Sequence, residues 1–241
     1  MTDFKRIVVK IGSNVLTRAD GSPHFTRLSS LVDQVAELHR AGHEVILVSS
    51  GAVACGRSEV SLPQGVKPGS VAARQLLSAV GQVRLINHYH TLFREYGITV
   101  GQVLATKEDF ATRTGYLNQK QCIGVMLESR VLPIVNENDT TSITELMFTD
   151  NDELSGMMAG MVDADALIIL SNVDGIYTGP PDAPGSTLIA RIEPHTPLGE
   201  HISGQRSGFG RGGMLTKAGI ARRVAAEGIA CLLYTSPSPR D

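Results

Sequence analysis

Apolar residues gather in five short runs, at Arg6–Ile11, Glu44–Ser49, 98–104, 131–136 and Ala166–Ser171. Each run is nearly continuous in Val, Ile and Leu rather than alternating, as in strands of a parallel sheet covered on both faces. Between the first two, Leu28, Leu31, Val32, Val35 and Leu38 keep helical spacing, with Thr26 as the expected cap and Gly42 as the stop. Helical patterns recur over 72–96, 116–128, 153–161 and 215–227, each leading towards another strand. The predicted fold is a three-layer α/β/α sandwich with a mainly parallel central sheet. Residues 174–211, rich in Gly, Pro and Ser, break the pattern and predict a hairpin and a mobile loop.

Composition narrows the function classes. At 241 residues the chain is within reach of one α/β core. With 42% hydrophobic and 19% charged residues, disorder is excluded. The 22 basic and 24 acidic residues leave a net charge of −2, without the basic excess of a nucleic-acid-binding domain, so no nucleic-acid partner is expected. Cys55, Cys122 and Cys231 are odd in number, far apart and form no CxxC, so reduced, buried thiols are expected rather than a disulfide framework or zinc site. The chain enters its first strand directly and holds no membrane-length apolar stretch, so a soluble cytoplasmic protein without a membrane partner is expected.

Common nucleotide signatures fail. Gly208, Gly210 and Gly213 spell GxGxxG, yet neither a preceding strand nor a following strand-end acid accompanies them. GxxxxGK[ST], HRD and DFG are all absent. Four other places concentrate chemistry. Lys10 lies among β-branched neighbours and precedes Gly12, whose N–H could face a phosphate at a strand's end; the alternative is a snorkelling edge lysine. Ser49, Ser50, Gly51 and Ala52 make a small-residue turn into a helix, suited to an anion or to ordinary capping. Asn136, Glu137, Asn138 and Asp139, with Asp150, Asn151 and Asp152, crowd four carboxylates and three amides at element ends. They could hold a metal, bind an ammonium or orient a lysine, or form a solvated loop. Lastly, glycines at 210, 212 and 213 precede a helix whose first turn carries Thr216 and Lys217. A cation there opposes the helix dipole unless an anion binds.

These segments, with VVKIGSNVL, VSSGAVACG, QLLSAVGQVRL, LPIVNENDT, DNDELS, LSNVDGIYT and GGMLTK in order, resemble the amino-acid kinase family, and within it the branch that phosphorylates glutamate. The resemblance covers roughly residues 5–230. It implies transfer of a phosphoryl group from ATP, with Mg²⁺, to the γ-carboxylate of L-glutamate at the start of proline synthesis. By the same resemblance Lys10 and Lys217 contact the phosphoryl group, and Asp152 orients them. Ser50, Gly51, Ala52, Asp139 and Asn151 hold glutamate. Lys10, Gly12, Ser171, Asn172, Arg211, Gly212, Gly213, Met214, Leu215, Thr216 and Lys217 serve ATP. No resident metal ligands are assigned. Ser171-Asn172 and Arg211 depart from the family's Thr-Asp and Gly-Thr-Gly-Gly-Met.

The implied organisation is one kinase domain over 1–233, with a glutamate lobe of about 1–165 and a nucleotide lobe of about 166–233, in a homo-oligomer. Residues 234–241 depart from the family. They read either as a foreign tail on a truncated nucleotide lobe or as a short native tail, and no PUA domain is expected. A free γ-carboxylate, with a pKa of about 4.3, is already ionised at neutral pH, so charge neutralisation and positioning, not a general base, should carry the reaction. The alternatives are an acetylglutamate-kinase-like enzyme and a non-catalytic nucleotide-binding regulator.

Overall fold

A computed structural model of the chain describes residues 4–18, 20–141, 148, 150–171, 175–178, 184–189 and 214–235. Its centre is a six-stranded sheet of β1 (Arg6–Ile11), β2 (Glu44–Ser49), β3 (Val100–Ala105), β4 (Leu132–Glu137), β5 (Ala166–Ser171) and β8 (Ala230–Thr235). The strand order is β3-β4-β2-β1-β5-β8 and every pairing is parallel. β1 is therefore central, and the chain moves outward from it in both directions. In such sheets the carboxyl edge at this reversal point is where ligands bind.

Side-chain alternation sorts the sheet into two cores. Ile7, Val9 and Ile11 of β1, with Val45 and Leu47 of β2, pack against α2 (Phe25–Arg40) and α4 (Val71–Arg94). Val8, Ile46 and Val48 face the other way, onto α6 (Arg113–Glu128), α7 (Asn151–Met161) and α8 (Met214–Ala226). The three-layer sandwich expected from the apolar runs is the observed architecture. Short helices α1 (Ser13–Leu16), α3 (Ala52–Arg57) and α5 (Lys107–Ala111) follow β1, β2 and β3.

Some boundaries differ. α2 begins at Phe25, one residue before the cap expected at Thr26; the cap is His24, whose ring nitrogen accepts from the Arg27 N–H. An imidazole is not among the usual capping side chains, so the pattern favoured the threonine. β6 (Ile176–Tyr177) and β7 (Leu188–Ile189) form an antiparallel pair within the expected hairpin region. The mobile loop expected there lies outside the described residues. β8 runs through Tyr234 and Thr235, two residues into the expected tail. Of the three thiols only Cys55 is buried; Cys122 is exposed on α6 and Cys231 is half-buried.

α3 and α4 touch backbone to backbone. A Cβ at Gly56 would lie 1.9 Å from the Leu77 carbonyl oxygen, and one at Gly81 would lie 1.8 Å from that of Ala52. Only glycine permits this approach, which seats the turn after β2 against α4.

Candidate functional site

Alternation along β1 turns Lys10 to the same face as Val8, towards α7 and α8. Lys10 is 5% exposed on a central strand, which removes the edge-lysine reading. Its Nζ lies 2.5 Å from Asp152 Oδ1, and Lys217 Nζ donates to Asp152 Oδ2 at 2.8 Å. Asp152, 1% exposed in the first turn of α7, thus holds two lysines that are 207 residues apart in sequence, from position 10 to position 217. Burial pushes its carboxyl up, but the two ammonium groups pull harder, and it lies below the usual carboxylate range.

Asp150 is the N-cap of α7, its Oδ1 accepting from the N–H groups of Asp152 at 2.9 Å and Glu153 at 3.0 Å. Its Oδ2 is buried without a hydrogen-bond partner among the described residues. Burial first, and the Asp152 charge second, raise its carboxyl above the usual range. Gly12 sits beside this cluster: a Cβ there would come within 3.2 Å of Lys10 Nζ and 3.4 Å of the Leu170 carbonyl oxygen. Ser171, 5% exposed, ends β5 at the same edge. Thr216, half-buried, lies in the first turn of α8. Met214 and Leu215 open α8, with their side chains outside the description; Asn172, Arg211, Gly212 and Gly213 lie outside the described residues.

Adjacent to the lysine pair is an open cleft of about 350 Å³. Ser50, Gly51, Ala52, Asp139 and Asn151, the five residues predicted to hold substrate, all line it, together with Asp150. Gly51 has φ 107°, a left-handed turn that makes it the N-cap of α3, and no side chain caps that helix. Ser50 is therefore not a capping serine. Its Oγ accepts from Asn151 Nδ2 at 2.9 Å, and the same nitrogen reaches Ser49 O at 3.1 Å and Asn136 Oδ1 at 3.0 Å. Asp139 is 7% exposed and ion-paired to Arg74 of α4, whose guanidinium also meets Glu137 at 2.7 Å. The acidic loop is thus partly neutralised from within.

The sequence reading expected a helix over 72–96, observed as α4, but missed its part in the site. Arg74, Gln75, Gln82 and Tyr89 all reach the turn and loop residues of the cleft: Gln75 donates to Thr140 O, Gln82 accepts from Asn136, and Tyr89 meets Ser49. Positions 75, 78, 82 and 89 keep helical spacing, but Arg84, Asn87, His88 and His90 make the rest of the helix polar as well, so the pattern did not mark that face.

The arrangement suits phosphoryl transfer. Two cations are held ready at a strand edge, a small polar cleft lies beside them, and glycines let the backbone approach a ligand. Residues 5–234 match the amino acid kinase family, and the chain belongs to it. Over 231 residues the chain is 63% identical to the glutamate 5-kinase of Bacteroides thetaiotaomicron, covering 96% of this chain and 64% of that protein. It is 43% identical to the glutamate 5-kinase of Symbiobacterium thermophilum, covering 98% and 89%. The chain spans about 64% of the length of most of the curated relatives it matches. Among solved structures, carbamate kinase from Giardia lamblia bound to AMP-PNP superposes with a TM-score of 0.71 at 14% identity, covering 98% of this chain and 94% of that one. UMP kinase from Bacillus anthracis gives 0.63, also at 14%, with 98% and 89% covered. These two establish the shared fold. No helix among the described residues is long and apolar enough to cross a membrane.

Proposed function

We propose that this chain transfers the γ-phosphoryl group of ATP to the γ-carboxylate of L-glutamate, releasing ADP and forming γ-glutamyl phosphate, which opens proline synthesis. The observation that carries the reading is the Lys10–Asp152–Lys217 bridge beside the Ser50–Asn151 cleft. The 63% identity over 96% of the chain to a glutamate 5-kinase supports the choice of acceptor. One carboxylate oxygen of the substrate attacks the γ-phosphorus, and the bond from that phosphorus to the bridging oxygen of ADP breaks. No proton need be removed, since the acceptor is already an anion. Lys10 and Lys217 face charge spreading over the transferred group, and Asp152 keeps both ammonium groups aimed before substrate arrives. In the cleft, Asp139 and the acid-rich loop favour the substrate's α-ammonium, and Gly51 and Ala52 offer backbone N–H groups. Gly12, Ser171 and the start of α8 around Thr216 serve ATP, with Asn172 and Arg211–Gly213 assigned by resemblance.

Mg²⁺ fits this site as a companion of the nucleotide. Among the described residues no three His, Cys, Asp or Glu side chains converge on a metal position. The buried, unpartnered Oδ2 of Asp150 is an oxygen that could face a cation brought in with ATP. When bound, Mg²⁺ would neutralise the phosphate tail.

The test is ADP release from ATP in the presence of L-glutamate, N-acetylglutamate, carbamate or UMP, with hydroxylamine to trap an acyl phosphate. Turnover and hydroxamate with L-glutamate are expected. Turnover only with another acceptor, or with none, would overturn the proposal. In the same assay Asp139→Ala should raise the glutamate KM and leave the ATP KM unchanged.

A further inference from the structure

The polarity of the hydrogen bonds beneath the cleft is set by a group that cannot rotate. The backbone N–H of Glu137 donates to Asn136 Oδ1 at 2.9 Å, so that oxygen faces β4 and α7, where it also accepts from Asn151. Asn136 Nδ2 must then point the other way, to Gln82 Oε1 of α4 at 2.8 Å. Gln82 takes part as an acceptor through Oε1, its Nε2 being buried with no hydrogen-bond partner among the described residues, and that acceptor adds to the Glu137 N–H in holding the Asn136 amide in one of its two orientations. Asn136 is 3% exposed, so no solvent competes for either end.

A second chain arrives from the next turns of α4. Alternation along β2 turns Ser49 to the α4 face, where its Oγ lies 2.7 Å from the hydroxyl of Tyr89. Ser49 has one proton and donates it to Ser50 O at 3.0 Å, which makes Tyr89 the donor to Ser49. Burial raises the Tyr89 phenol well above its ordinary range, so the donor proton stays in place.

We propose that α4 is a positioning element for the substrate site: Gln82 and Tyr89 fix Ser50 from its hydroxyl and from its carbonyl through two hydrogen-bond chains of set polarity. The Gln82 chain runs through Asn136 and Asn151 to Ser50 Oγ; the Tyr89 chain runs through Ser49 to Ser50 O. Because Asn151 uses its nitrogen inward, it presents Oδ1 to the cleft as an acceptor. Ser50, accepting from Asn151, keeps its own proton for a ligand oxygen. The pair therefore presents one acceptor and one donor, a pattern suited to an amino acid that carries both ammonium and carboxylate. This inference rests on the glutamate reading of the cleft.

Three variants of the full chain test it. Gln82→Met removes the acceptor at similar volume, Gln82→Glu keeps an acceptor that, while ionised, cannot donate, and Tyr89→Phe removes only the hydroxyl. Gln82→Met and Tyr89→Phe should each raise the glutamate KM about 3- to 10-fold, the loss of roughly one hydrogen bond, with ATP KM and kcat within about twofold of the parent. Gln82→Glu should restore the parental glutamate KM. The side-chain amide resonances of Asn151, followed by NMR without substrate, should shift and exchange faster in Gln82→Met and stay in place in Gln82→Glu. Equal rises in both KM values, a Gln82→Glu as impaired as Gln82→Met, or an unmoved Asn151 amide in Gln82→Met would each overturn the positioning role. A parent chain that neither binds nor turns over glutamate would overturn the proposed function instead, and the NMR comparison would still decide the relay.

Discussion

Replacing Asp152 by Asn keeps the shape of the side chain and deletes the charge that two lysines share. With Nζ atoms at 2.5 and 2.8 Å from the two oxygens of one carboxylate, the ammonium groups are roughly 5 to 6 Å apart, and at an effective dielectric near 20 they repel by about 3 kcal/mol. That figure agrees with the cost of removing one partner of a buried ion pair, about 3 to 5 kcal/mol. For a chain of this size it corresponds to a fall in Tm of roughly 6 to 20 °C. The deficit should shrink when ATP and Mg²⁺ are added, because phosphate oxygens then supply the missing negative charge. It should also depend on pH in a set direction. A carboxylate whose folded pKa lies below the ordinary 3.8 stabilises the fold above that value and loses its contribution as pH falls through the folded pKa. The gap between parent and variant is therefore full at pH 7.5 and closes on acidification below about pH 4. Thermal melts of both proteins across pH, with and without nucleotide, together with initial rates, provide the measurement. An equal Tm at pH 7.5, or a deficit unchanged by ATP, would refute the account of Asp152 as the clamp on Lys10 and Lys217.

Lys217→Met should lower kcat by about 10²- to 10³-fold with a small change in glutamate KM, since its charge matters most when phosphoryl charge spreads; unchanged steady-state kcat would remove it from the catalytic set. Asp150→Asn keeps an N-cap and deletes a buried charge whose folded pKa is raised, so it should hold or raise Tm at pH 7.5. That advantage should shrink as pH falls through the parent's raised folded pKa and be gone below the ordinary carboxylate range, where the carboxyl is neutral in both folded and unfolded parent, and a lower Tm than the parent at pH 7.5 would contradict the burial argument. Gly56→Ala forces a Cβ to 1.9 Å from the Leu77 carbonyl oxygen, and should cost at least about 1 to 3 kcal/mol in chemical denaturation while weakening glutamate binding; an unaltered denaturation midpoint would contradict the backbone contact.

Much of the fold lay open in the sequence because buried parallel strands are written as unbroken apolar runs. β1, β2 and β5 are bounded where the runs begin and stop. Lys10 was recognisable as an anomaly, a charge placed where the pattern demands apolar residues, and an anomaly invites a partner; Asp152 stood out only within the acid-rich cluster at element ends, and its link to the lysines came from the family resemblance. Gln82 and Tyr89 raised no such alarm, since a glutamine or tyrosine on a 24-residue helix is ordinary until the neighbouring strand is known to turn Asn136 and Ser49 towards it. The pairing of Asp139 with Arg74 was hidden for a related reason: 65 residues separate them, from position 74 to position 139, and no spacing rule spans such a loop. The His24 cap escaped because a better capping residue stands two places further on.

The bare contact between α3 and α4 also limits what the cleft can become. Where two helices meet through glycine there is no side chain left to shorten, so the wall of the cleft cannot recede by substitution at Gly56 or Gly81. Any larger substitute at those positions drives the helices apart and carries the Ser50–Gly51 turn away with α3. Room for a bulkier acceptor must come from residues that do project into the space, Val53 and Leu77 foremost among them. Laboratory selection for longer substrates should therefore collect changes at those two positions and leave the glycine pair untouched.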